Sequence, residues 1–510
     1  MSNSFQNLPT DLPDTNIFAQ AKRAAVLGAA TTGLAVAEVL TSQGIEVTLY
    51  DGSQSAVDKA QAAGFNAIGG EVNELGEQIV AEEYDLVVAS PGIPPSSQLL
   101  APALAAGRVW SEVELAWHWQ QAQGGKQPWL CVTGTNGKTT TVGMCGAILT
   151  AAGYRAPQVG NIGRSILTEV ATGEYDALVV ELSSFQLFYA QDMAPTASVC
   201  LNVAADHLDW HGSTEAYAKA KAKIYENTIT ACVYPESDAA VIKMVEDADV
   251  AEGARAISFT LGSPAPSGIG VIEDNLIDRA YLPQRQTQAL FMASFADLAH
   301  LGPSALSPAL VSDALAAIAL TRALDVEPEA VSAGLRSFEL AGHRRRDLGV
   351  VAEVNWIDDS KATNAHAAAA SLAGIAPGRA VWIAGGLAKG QDFHDLVKSV
   401  APRLRSVVVI GEDRSAWLEA FAEHAPQIPL VEVDGHEDFM MSVVHECVAH
   451  SLPGDTVVLA PACASWDQFN SYAQRGEAFA QAVARLAEQQ AEAQTMPLAP
   501  SSEDTNGAGS

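Results

Sequence analysis

The sequence has little basic charge for its 510 residues. It contains 29 Lys and Arg residues against 60 Asp and Glu residues, which gives a formal net charge of −31. A chain with this charge repels nucleic-acid backbones and anionic lipid surfaces at long range. We therefore expect no nucleic-acid partner. An anionic substrate would need locally placed Lys or Arg side chains, helix N-termini or metal ions.

Long apolar runs and paired cysteines are also lacking. No stretch approaches the roughly 18 to 20 apolar residues that a membrane-spanning helix requires. The first residues, MSNSFQNLPTDLPDTNIF, are polar and contain no basic-then-apolar leader. The six cysteines are scattered without a CxxC pair, which predicts neither a disulfide framework nor a zinc site. We expect a cytoplasmic protein with no membrane insertion.

The order of apolar runs and turns predicts an α/β fold. Apolar residues make up 48% and charged residues 17% of the chain, which is typical of a folded protein. Residues 23–51, RAAVLGAATTGLAVAEVLTSQGIEVTLYD, predict a strand, a glycine turn, a helix and a second strand. This alternation is typical of a parallel sheet with helices on both faces.

The length suggests about three domains. We predict a Rossmann-like N-terminal domain over residues 1–126, a central P-loop ATPase-like domain over 127–341 and a Rossmann-like C-terminal domain over 342–490. The Ser/Glu/Gly-rich residues 491–510 predict a disordered tail. Between about 232 and 300 the pattern weakens, and no elements are assigned there.

A glycine-rich loop between a strand and a helix predicts a phosphate site. The stretch PWLCVTGTNGKTTTVGMCGAIL lacks the first glycine of the strict G-x-x-x-x-G-K-[ST] pattern, because residue 132 is Val. The two remaining glycines can still turn backbone N–H groups toward an anion. Lys138 can neutralise phosphate oxygens, and a following threonine can bind Mg²⁺. The candidate residues are Gly134, Thr135, Asn136, Gly137, Lys138, Thr139 and Thr140.

Three polar stretches after this loop predict a magnesium site. The first two follow apolar strands, and the carboxyl ends of parallel strands are where α/β sheets bind ligands. Carboxylate and other oxygen ligands beside a phosphate suit Mg²⁺. Taken singly, each residue could instead be a surface acid, a capping imidazole or a solvated lysine. The candidates are Glu181, Asp206, His207, Asp209, Lys219, Lys221 and Lys223.

Several motifs together resemble those of the Mur ligases of peptidoglycan synthesis. They are GTNGKTT, GNIG, ELSSFQL, NVAADHLD, AKIYEN, DDSKATN and PACASWDQFNSYAQRG, and the resemblance runs from about residue 26 to 476. The last two motifs resemble the branch that adds D-glutamate. The resemblance implies a monomeric, ATP- and Mg²⁺-dependent ligase. Such an enzyme joins D-glutamate to UDP-N-acetylmuramoyl-L-alanine through an acyl phosphate.

The resemblance also implies roles for individual residues. The implied catalytic residues are Lys138, His207 and Lys221. ATP would be bound by residues Gly134 to Thr140 with Arg344 and Asp359. The UDP substrate would contact Thr31, Thr32, Asp51, Asn161 and His207. D-Glutamate would contact Lys361, Thr363, Lys389, Ser465 and Tyr472. Two Mg²⁺ sites would use Thr139, Glu181, His207 and Lys221, the last as a carbamate.

The sequence departs from the family pattern in two places. The first domain has GAATTG instead of G-x-G-x-x-G, so a dinucleotide fingerprint is absent. Where the family has a His-Asn-x-x-Asn signature, this chain has Ala309, Leu310 and Asp313. Three explanations stay open: ATP is held mainly by its phosphates, the adenine pocket is apolar, or activity is reduced.

Two other functions are compatible with parts of the sequence. A sister ligase that adds a different amino acid would share the phosphate loop and the candidate metal ligands. A nonenzymatic nucleotide-binding regulator would explain the missing asparagine signature, but it would not need to keep Lys138, Glu181, His207 and Lys221. An NAD-dependent dehydrogenase is disfavoured by the glycine spacing of the first domain.

Overall fold

Three β-sheets organise the part of the chain that the structure describes. This computed structural model describes residues 21–105, 109–204, 206–301, 306–340, 342, 345–434 and 438–495. The chain divides into two compact units, residues 1–340 with two sheets and residues 341–510 with the third. Helices alternate with mostly parallel strands in all three sheets, which confirms the predicted α/β fold of three domains.

The first sheet is parallel throughout, with the strand order β3-β2-β1-β4-β5. A Cβ on Gly33 would lie 1.8 Å from the carbonyl oxygen of Gly28, so the helix after β1 needs a glycine where it approaches the strand. The elements are β1 Arg23–Leu27, α1 Thr31–Ser42, β2 Glu46–Asp51, α2 Gln54–Ala62, β3 Asn66–Gly69, α3 Val72–Ala81, β4 Leu86–Ala89, α4 Ala101–Ala105, β5 Val109–Ser111 and α5 Glu112–Ala122.

The second sheet has nine strands in the order β14-β13-β12-β11-β10-β9-β6-β8-β7. All five residues of β6 are buried, as expected for an interior strand of a parallel sheet. The elements are β6 Trp129–Thr133, α6 Lys138–Ala151, β7 Gln158–Gly160, α7 Ile166–Thr172, β8 Leu178–Glu181, α8 Ser184–Phe188, β9 Ala197–Cys200, α9 Leu208–His211, α10 Thr214–Ala222, β10 Ala231–Pro235, α11 Ala239–Asp247, β11 Arg255–Phe259, β12 Gly268–Ile272, β13 Asn275–Asp278, β14 Leu290–Ser294, α12 Pro308–Arg322 and α13 Pro328–Ser337.

The segment that the sequence pattern left unassigned holds most of β10 to β14. β12, β13 and β14 are antiparallel strands of only four or five residues, too short for a clear alternation of apolar and polar side chains. The residues LGSPAPS that obscure the pattern form the connection before β12. The helix predicted from VSDALAAIALTRALDV is α12, which begins three residues earlier, at Pro308.

The third sheet has the strand order β15-β16-β20-β17-β18-β19, and only β15 is antiparallel to its neighbour. The last helix continues to Thr495 and thus covers the first five residues of the segment predicted as a tail. Residues 496–510 lie outside the described residues. The elements are β15 Arg346–Val351, β16 Val354–Asp358, α14 Ala365–Ala373, β17 Ala380–Gly385, α15 His394–Val400, β18 Leu404–Ile410, α16 Ser415–His424, β19 Leu430–Glu432, α17 Phe439–Ala449, β20 Thr456–Leu459 and α18 Tyr472–Thr495.

The sheets bring functional segments together at their carboxyl edges. β9, β6 and β8 are parallel neighbours in the second sheet, and β16, β20 and β17 are parallel neighbours in the third. Loops that leave such strands emerge at the same edge, where open α/β sheets bind ligands. None of the described helices combines the length and the apolar character needed to cross a membrane.

A buried ion pair joins the antiparallel part of the second sheet to α12. The Arg322 side chain donates from Nε to Asp278 Oδ2 at 3.0 Å, and the Asp278 side chain is fully buried. The same carboxylate also accepts the backbone N–H groups of Ala280 and Tyr281. Removing one partner from such a pair leaves an uncompensated buried charge.

We therefore expect Asp278→Asn to lower the free energy of unfolding of this unit by about 3 kcal/mol, because Arg322 stays charged and buried. Urea denaturation followed by tryptophan fluorescence measures the change. The control is Glu273→Gln, which removes an exposed acid from the β12–β13 hairpin. Equal denaturation midpoints for the two variants would contradict this role of the ion pair.

Candidate functional site

The loop after β6 has the geometry of a phosphate-binding loop. Gly134 has a φ of 152° and Gly137 a φ of 86°, both in the region that favours glycine. Lys138 is the first residue of α6, and Thr139 and Thr140 follow in its first turn. The loop thus runs directly into the N-terminus of a helix. The backbone N–H groups there carry partial positive charge, which favours an anion.

Asn202, just after β9, holds this loop in place. Its Oδ1 accepts the backbone N–H of Asn136 at 2.9 Å, and its Nδ2 donates to the Asn136 carbonyl at 3.2 Å. The Asn202 carbonyl accepts the N–H of Thr135. The Thr135 hydroxyl in turn lies 3.1 Å from the hydroxyl of Tyr217. The loop conformation is therefore fixed from the neighbouring strand.

Two lysine amines converge on one carbonyl of the loop. Lys138 Nζ donates to the carbonyl oxygen of Gly134 at 2.8 Å and to that of Thr135 at 3.0 Å. Lys221 Nζ, which comes from α10, donates to the same Gly134 oxygen at 2.9 Å and to Thr133 Oγ1 at 3.3 Å. Two amines therefore lie together at the loop that leads into the N-terminus of α6.

Burial makes Lys221 an unusual lysine. Its side chain is 2% exposed, and its amine lies 4.7 Å from the centre of the Tyr217 ring. Desolvation, together with repulsion from the Lys138 charge, lowers the pKa of Lys221 from 10.5 to about 7. A large fraction of Lys221 is thus a neutral amine near neutral pH, and a neutral amine can act as a nucleophile.

Glu181, at the end of β8, offers an oxygen ligand beside the loop. Its Oε1 accepts the side-chain N–H of Asn161 at 3.0 Å, and its carbonyl accepts the Asn161 backbone N–H. Its Oε2 is buried and, among the described residues, has no hydrogen-bond partner. Leaving a carboxylate oxygen in this state is costly. The arrangement therefore fits a Mg²⁺ ion, which prefers oxygen ligands.

His207 lies before α9 in a strained backbone conformation, with a φ of 52°. Its backbone N–H donates to Asp206 Oδ1, and its ring packs edge-on against Phe185 at 4.8 Å. The side chain remains 40% exposed. Asp209 lies within α9. The conformation holds the imidazole at the same edge of the sheet as the phosphate loop.

Only one of the three candidate lysines near α10 reaches the phosphate loop. Lys223 Nζ donates to the carbonyl oxygens of Phe188 and Ala190, at 2.5 and 3.0 Å, and so binds the end of α8. Lys219 is exposed on α10. Lys221 is therefore the one of the three that the structure brings to the loop.

One residue of the altered family signature contacts the phosphate loop. A Cβ on Gly137 would lie 2.3 Å from Asp313 Oδ1, so the carboxylate sits against the turn that starts α6. Leu310 is buried in the core, and Ala309 is exposed at the start of α12. The structure thus places a buried acid beside the loop at the last position of the signature.

The turn after β1 holds the residues predicted for the UDP substrate. Thr31 and Thr32 begin α1, and Thr31 is exposed. Asp51 ends β2 and accepts the backbone N–H groups of Ala29 and Ser53 at 2.7 and 2.8 Å. Its carboxylate therefore ties the turn to the neighbouring strand.

The third sheet gathers the residues predicted to bind D-glutamate. The loops after β16, β17 and β20 emerge from neighbouring strands. Leu387 and Ala464 exchange two backbone hydrogen bonds, of 2.9 and 3.1 Å, which join the loop after β17 to the loop after β20. Ser360 Oγ donates to the Tyr472 carbonyl and so joins the first loop to α18. The gathered residues are Lys361, Thr363, Lys389, Ser465 and Tyr472.

Both lysines of this group lie over aromatic rings. Lys361 Nζ is 5.1 Å from the centre of the Tyr472 ring, and Lys389 Nζ is 4.4 Å from that of Trp466. Ser465 is 2% exposed, whereas Trp466 is 67% exposed. Two cations and a buried hydroxyl at one sheet edge suit a ligand with carboxylate groups.

Asp359 and Arg344 were predicted to bind ATP. Asp359 follows β16, and its Oδ1 accepts the backbone N–H of Arg345 at 3.3 Å. Arg344 lies outside the described residues. The structure therefore gives the position of Asp359 alone.

Comparison with known proteins gives the family. The chain matches three family models in succession: "Mur ligase MurD-like, N-terminal domain" over residues 22–110, "Mur ligase middle domain" over 132–320 and "Mur ligase, glutamate ligase domain" over 343–463. The UDP-N-acetylmuramoylalanine–D-glutamate ligase of Streptomyces avermitilis is 48% identical over 470 residues, 92% of this chain and 99% of that protein. This chain belongs to the Mur ligase family.

Two further proteins agree with this result. The UDP-N-acetylmuramoylalanine–D-glutamate ligase of Streptomyces coelicolor is also 48% identical over 470 residues, 91% of this chain and 98% of that protein. The solved pseudomurein peptide ligase type C from Methanothermus fervidus has a TM-score of 0.53 at 17% identity, and covers 92% of this chain and 100% of its own. At that identity the likeness concerns the fold alone.

Arg475 is a buried residue of this Mur ligase that no sequence motif marks as functional. Its buried guanidinium donates to Ser360 Oγ and the Ser360 carbonyl at 3.0 and 2.9 Å, and to the Cys463 carbonyl at 3.1 Å. Burial lowers its pKa to about 10. Arg475 thus links the loop after β16 to the loop after β20.

The sequence did not predict the role of Asn202. It stands in the quoted motif NVAADHLD, but an Asn after a strand is usually a turn residue. Its contacts with Asn136 could be known only once β9 was placed beside β6. Arg475 carried no signal either, because an arginine in a polar helix is usually exposed.

We expect Asn202→Ala to weaken ADP binding by about ten- to a hundredfold, because the loop loses two hydrogen bonds that hold its backbone. Isothermal titration of ADP with Mg²⁺ measures the affinity. The control is Asn275→Ala in the β12–β13 hairpin, whose side chain bonds only the nearby Ile272 carbonyl among the described contacts. Unchanged ADP affinity in Asn202→Ala would show that the loop keeps its shape without this clamp.

Proposed function

We propose that this Mur ligase adds D-glutamate to UDP-N-acetylmuramoyl-L-alanine with hydrolysis of ATP to ADP and phosphate. The chain is an ATP-dependent ligase of peptidoglycan precursor synthesis, as the family and the names of its relatives indicate. One observation carries the choice of amino acid. The loops with DSKATN and PACASWDQF are hydrogen-bonded into one group whose cations and hydroxyls suit the two carboxylates of glutamate.

The reaction requires activation of a carboxylate, which is a poor electrophile. An oxygen of the muramoyl-L-alanine carboxylate attacks the γ-phosphorus of ATP, and ADP leaves. The D-glutamate amine then attacks the carbonyl carbon of the acyl phosphate, and the tetrahedral intermediate expels phosphate to leave an amide. Lys138 and the N-terminus of α6 stabilise the charge that develops on the transferred phosphoryl group.

Two Mg²⁺ sites are part of this proposal. Thr139, Glu181, His207 and Lys221, as a carbamate, would hold the ions, and the unpartnered Oε2 of Glu181 supports the fit. Bound Mg²⁺ would screen the phosphate charge and polarise the phosphoryl oxygens. The chain's own residues position the groups: Asn161 orients the Glu181 carboxylate, and Asn202 sets the phosphate loop.

The environment of Lys221 supports its carbamylation. The amine attacks the carbon of CO₂, loses a proton to solvent and becomes a carbamate with two oxygens. The buried neutral amine, with a pKa of about 7, favours this reaction over protonation above neutral pH. The product replaces an amine beside Lys138 with an anion, which relieves the repulsion between the two groups.

We expect a carbamate signal in the ¹³C NMR spectrum of the protein equilibrated with ¹³C-bicarbonate. The signal should weaken as the pH falls through about 7, because protonated Lys221 cannot react with CO₂. Lys221→Ala should lack the signal and turn over at most about 1% as fast, with partial rescue by short carboxylic acids that refill the space. Lys219→Ala, which alters an exposed lysine of the same helix, should retain both signal and activity.

The remaining assignments extend the same proposal. Residues 1–126 would bind the UDP part of the substrate through Thr31, Thr32 and Asp51, residues 127–341 would bind ATP, and residues 342–490 would bind D-glutamate. We also propose Arg344 and Asp359 as ATP-binding residues. We place the enzyme in the cytoplasm, where nucleotide-linked precursors and ATP occur, and expect a monomer.

The decisive assay is ADP formation with UDP-N-acetylmuramoyl-L-alanine, ATP, Mg²⁺ and one amino acid at a time. D-Glutamate should support turnover, whereas L-lysine and meso-diaminopimelate should not, because each carries an additional amine that the Lys361 and Lys389 cations would repel. Turnover with a diamino acid alone would assign the chain to a sister ligase. The absence of ADP with every amino acid would favour a nonenzymatic nucleotide-binding protein.

A further inference from the structure

Two histidines and a glutamate converge in the third sheet's domain, outside the site described above. His394 is the first residue of α15, and Glu423 and His424 are the last two of α16. His394 Nδ1 lies 3.1 Å from His424 Nε2 and 3.4 Å from Glu423 Oε2. His424 Nε2 lies 3.6 Å from Glu423 Oε1. Three potential metal-ligand groups thus face one point.

These separations match those of a zinc coordination sphere. Zinc binds imidazole nitrogens and carboxylate oxygens at about 2.0–2.2 Å, so two ligands of a tetrahedral ion lie about 3.3 Å apart. The distances of 3.1, 3.4 and 3.6 Å scatter around that value, with Glu423 Oε2 nearer His394 and Glu423 Oε1 nearer His424.

A carboxylate also lies near the second ring nitrogen of His394. Asp392 Oδ1 lies 4.0 Å from His394 Nε2, the ring nitrogen that faces away from the cluster, and it accepts the His394 backbone N–H at 2.9 Å. Metal-bound histidines commonly direct their second nitrogen toward such a carboxylate, which fixes the tautomer and the orientation of the ring. The chain therefore offers the ligands together with a carboxylate near the second ring nitrogen of one of them.

The cluster is accessible to ions from solution. The side chains of His394 and His424 are 31% and 22% exposed, and that of Glu423 is 63% exposed. Three protein ligands leave a fourth tetrahedral position for water. Imidazole and carboxylate ligands together suit zinc better than magnesium, which favours oxygen ligands alone.

The other cluster of this kind among the described residues lacks these properties. It consists of Glu114, His118 and Asp192. Both Glu114 oxygens already accept backbone N–H groups, from Gln191 and Asp192 at 2.9 and 2.7 Å. The cluster also has a single histidine, whose ring stacks on Trp110. Its contacts are explained without an ion.

We propose that His394, Glu423 and His424 form a zinc-binding site that ties the start of α15 to the end of α16. The bound ion bridges two helices that pack on the same face of the third sheet. The loop after β17 ends at His394, five residues beyond Lys389. The bound ion therefore also fixes this end of the loop. The spacing of the cysteines did not predict this site, because its ligands are histidine and glutamate side chains and include no cysteine.

Equilibrium dialysis of the full chain against Zn²⁺ in excess Mg²⁺ tests the proposal. The unaltered protein should bind one more Zn²⁺ per chain than His424→Gln or Glu423→Gln. His445→Gln, which changes an exposed histidine of α17, should bind as many ions as the unaltered protein. The same number of ions in all four proteins would overturn the proposal.

Two further readouts use the same proteins. Zn²⁺ should raise the Tm of the unaltered protein and of His445→Gln by several degrees more than that of His424→Gln, because an ion that binds only the folded state stabilises it. Co²⁺ in place of Zn²⁺ should give the intense visible absorption of a tetrahedral complex. This absorption should be lost in both cluster variants. A weak octahedral spectrum in the unaltered protein would overturn the proposed geometry.

Discussion

Two lysine amines share one carbonyl oxygen, and the chemistry of the phosphate loop depends on this contact. Lys138 Nζ and Lys221 Nζ both donate to the Gly134 carbonyl oxygen, at 2.8 and 2.9 Å, although two positively charged amines bound to one oxygen would repel each other. Burial of Lys221 reduces this repulsion, because it lowers the pKa of the Lys221 amine to about 7. Near neutral pH a large fraction of Lys221 is therefore a neutral amine beside Lys138.

The rest of the second sheet keeps these two amines together. β6 ends in the loop, β9 leads to Asn202, and β8 ends at Glu181, so three parallel neighbours supply the loop, its clamp and a candidate metal ligand. The third sheet repeats the principle with β16, β20 and β17. Arg475 joins the loops after β16 and β20, and the Leu387–Ala464 backbone hydrogen bonds join the loop after β17 to the loop after β20. Each group of side chains is thus gathered by the geometry of parallel strands.

The sequence could predict those features that depend on local pattern. The α/β alternation and the strand–loop–helix at Lys138 are set by residues close in the chain, and both appear in the structure. Contacts between distant segments carried no local signal. Arg475 bonds residue 360, and His394 meets His424, only because helices pack on a common sheet. The antiparallel strands between 268 and 294 were missed because they are short and interrupted by turns.

The most direct test is the titration of the Lys221 amine itself. NMR of protein labelled with ¹³C at the lysine side chains, prepared free of CO₂ and assigned with Lys221→Arg, follows its protonation. Lys221 should titrate near pH 7, and Lys138→Met should move that pKa upward because a neighbouring positive charge is removed. A Lys221 that titrates at the ordinary value of 10.5 in the unaltered protein would contradict the account.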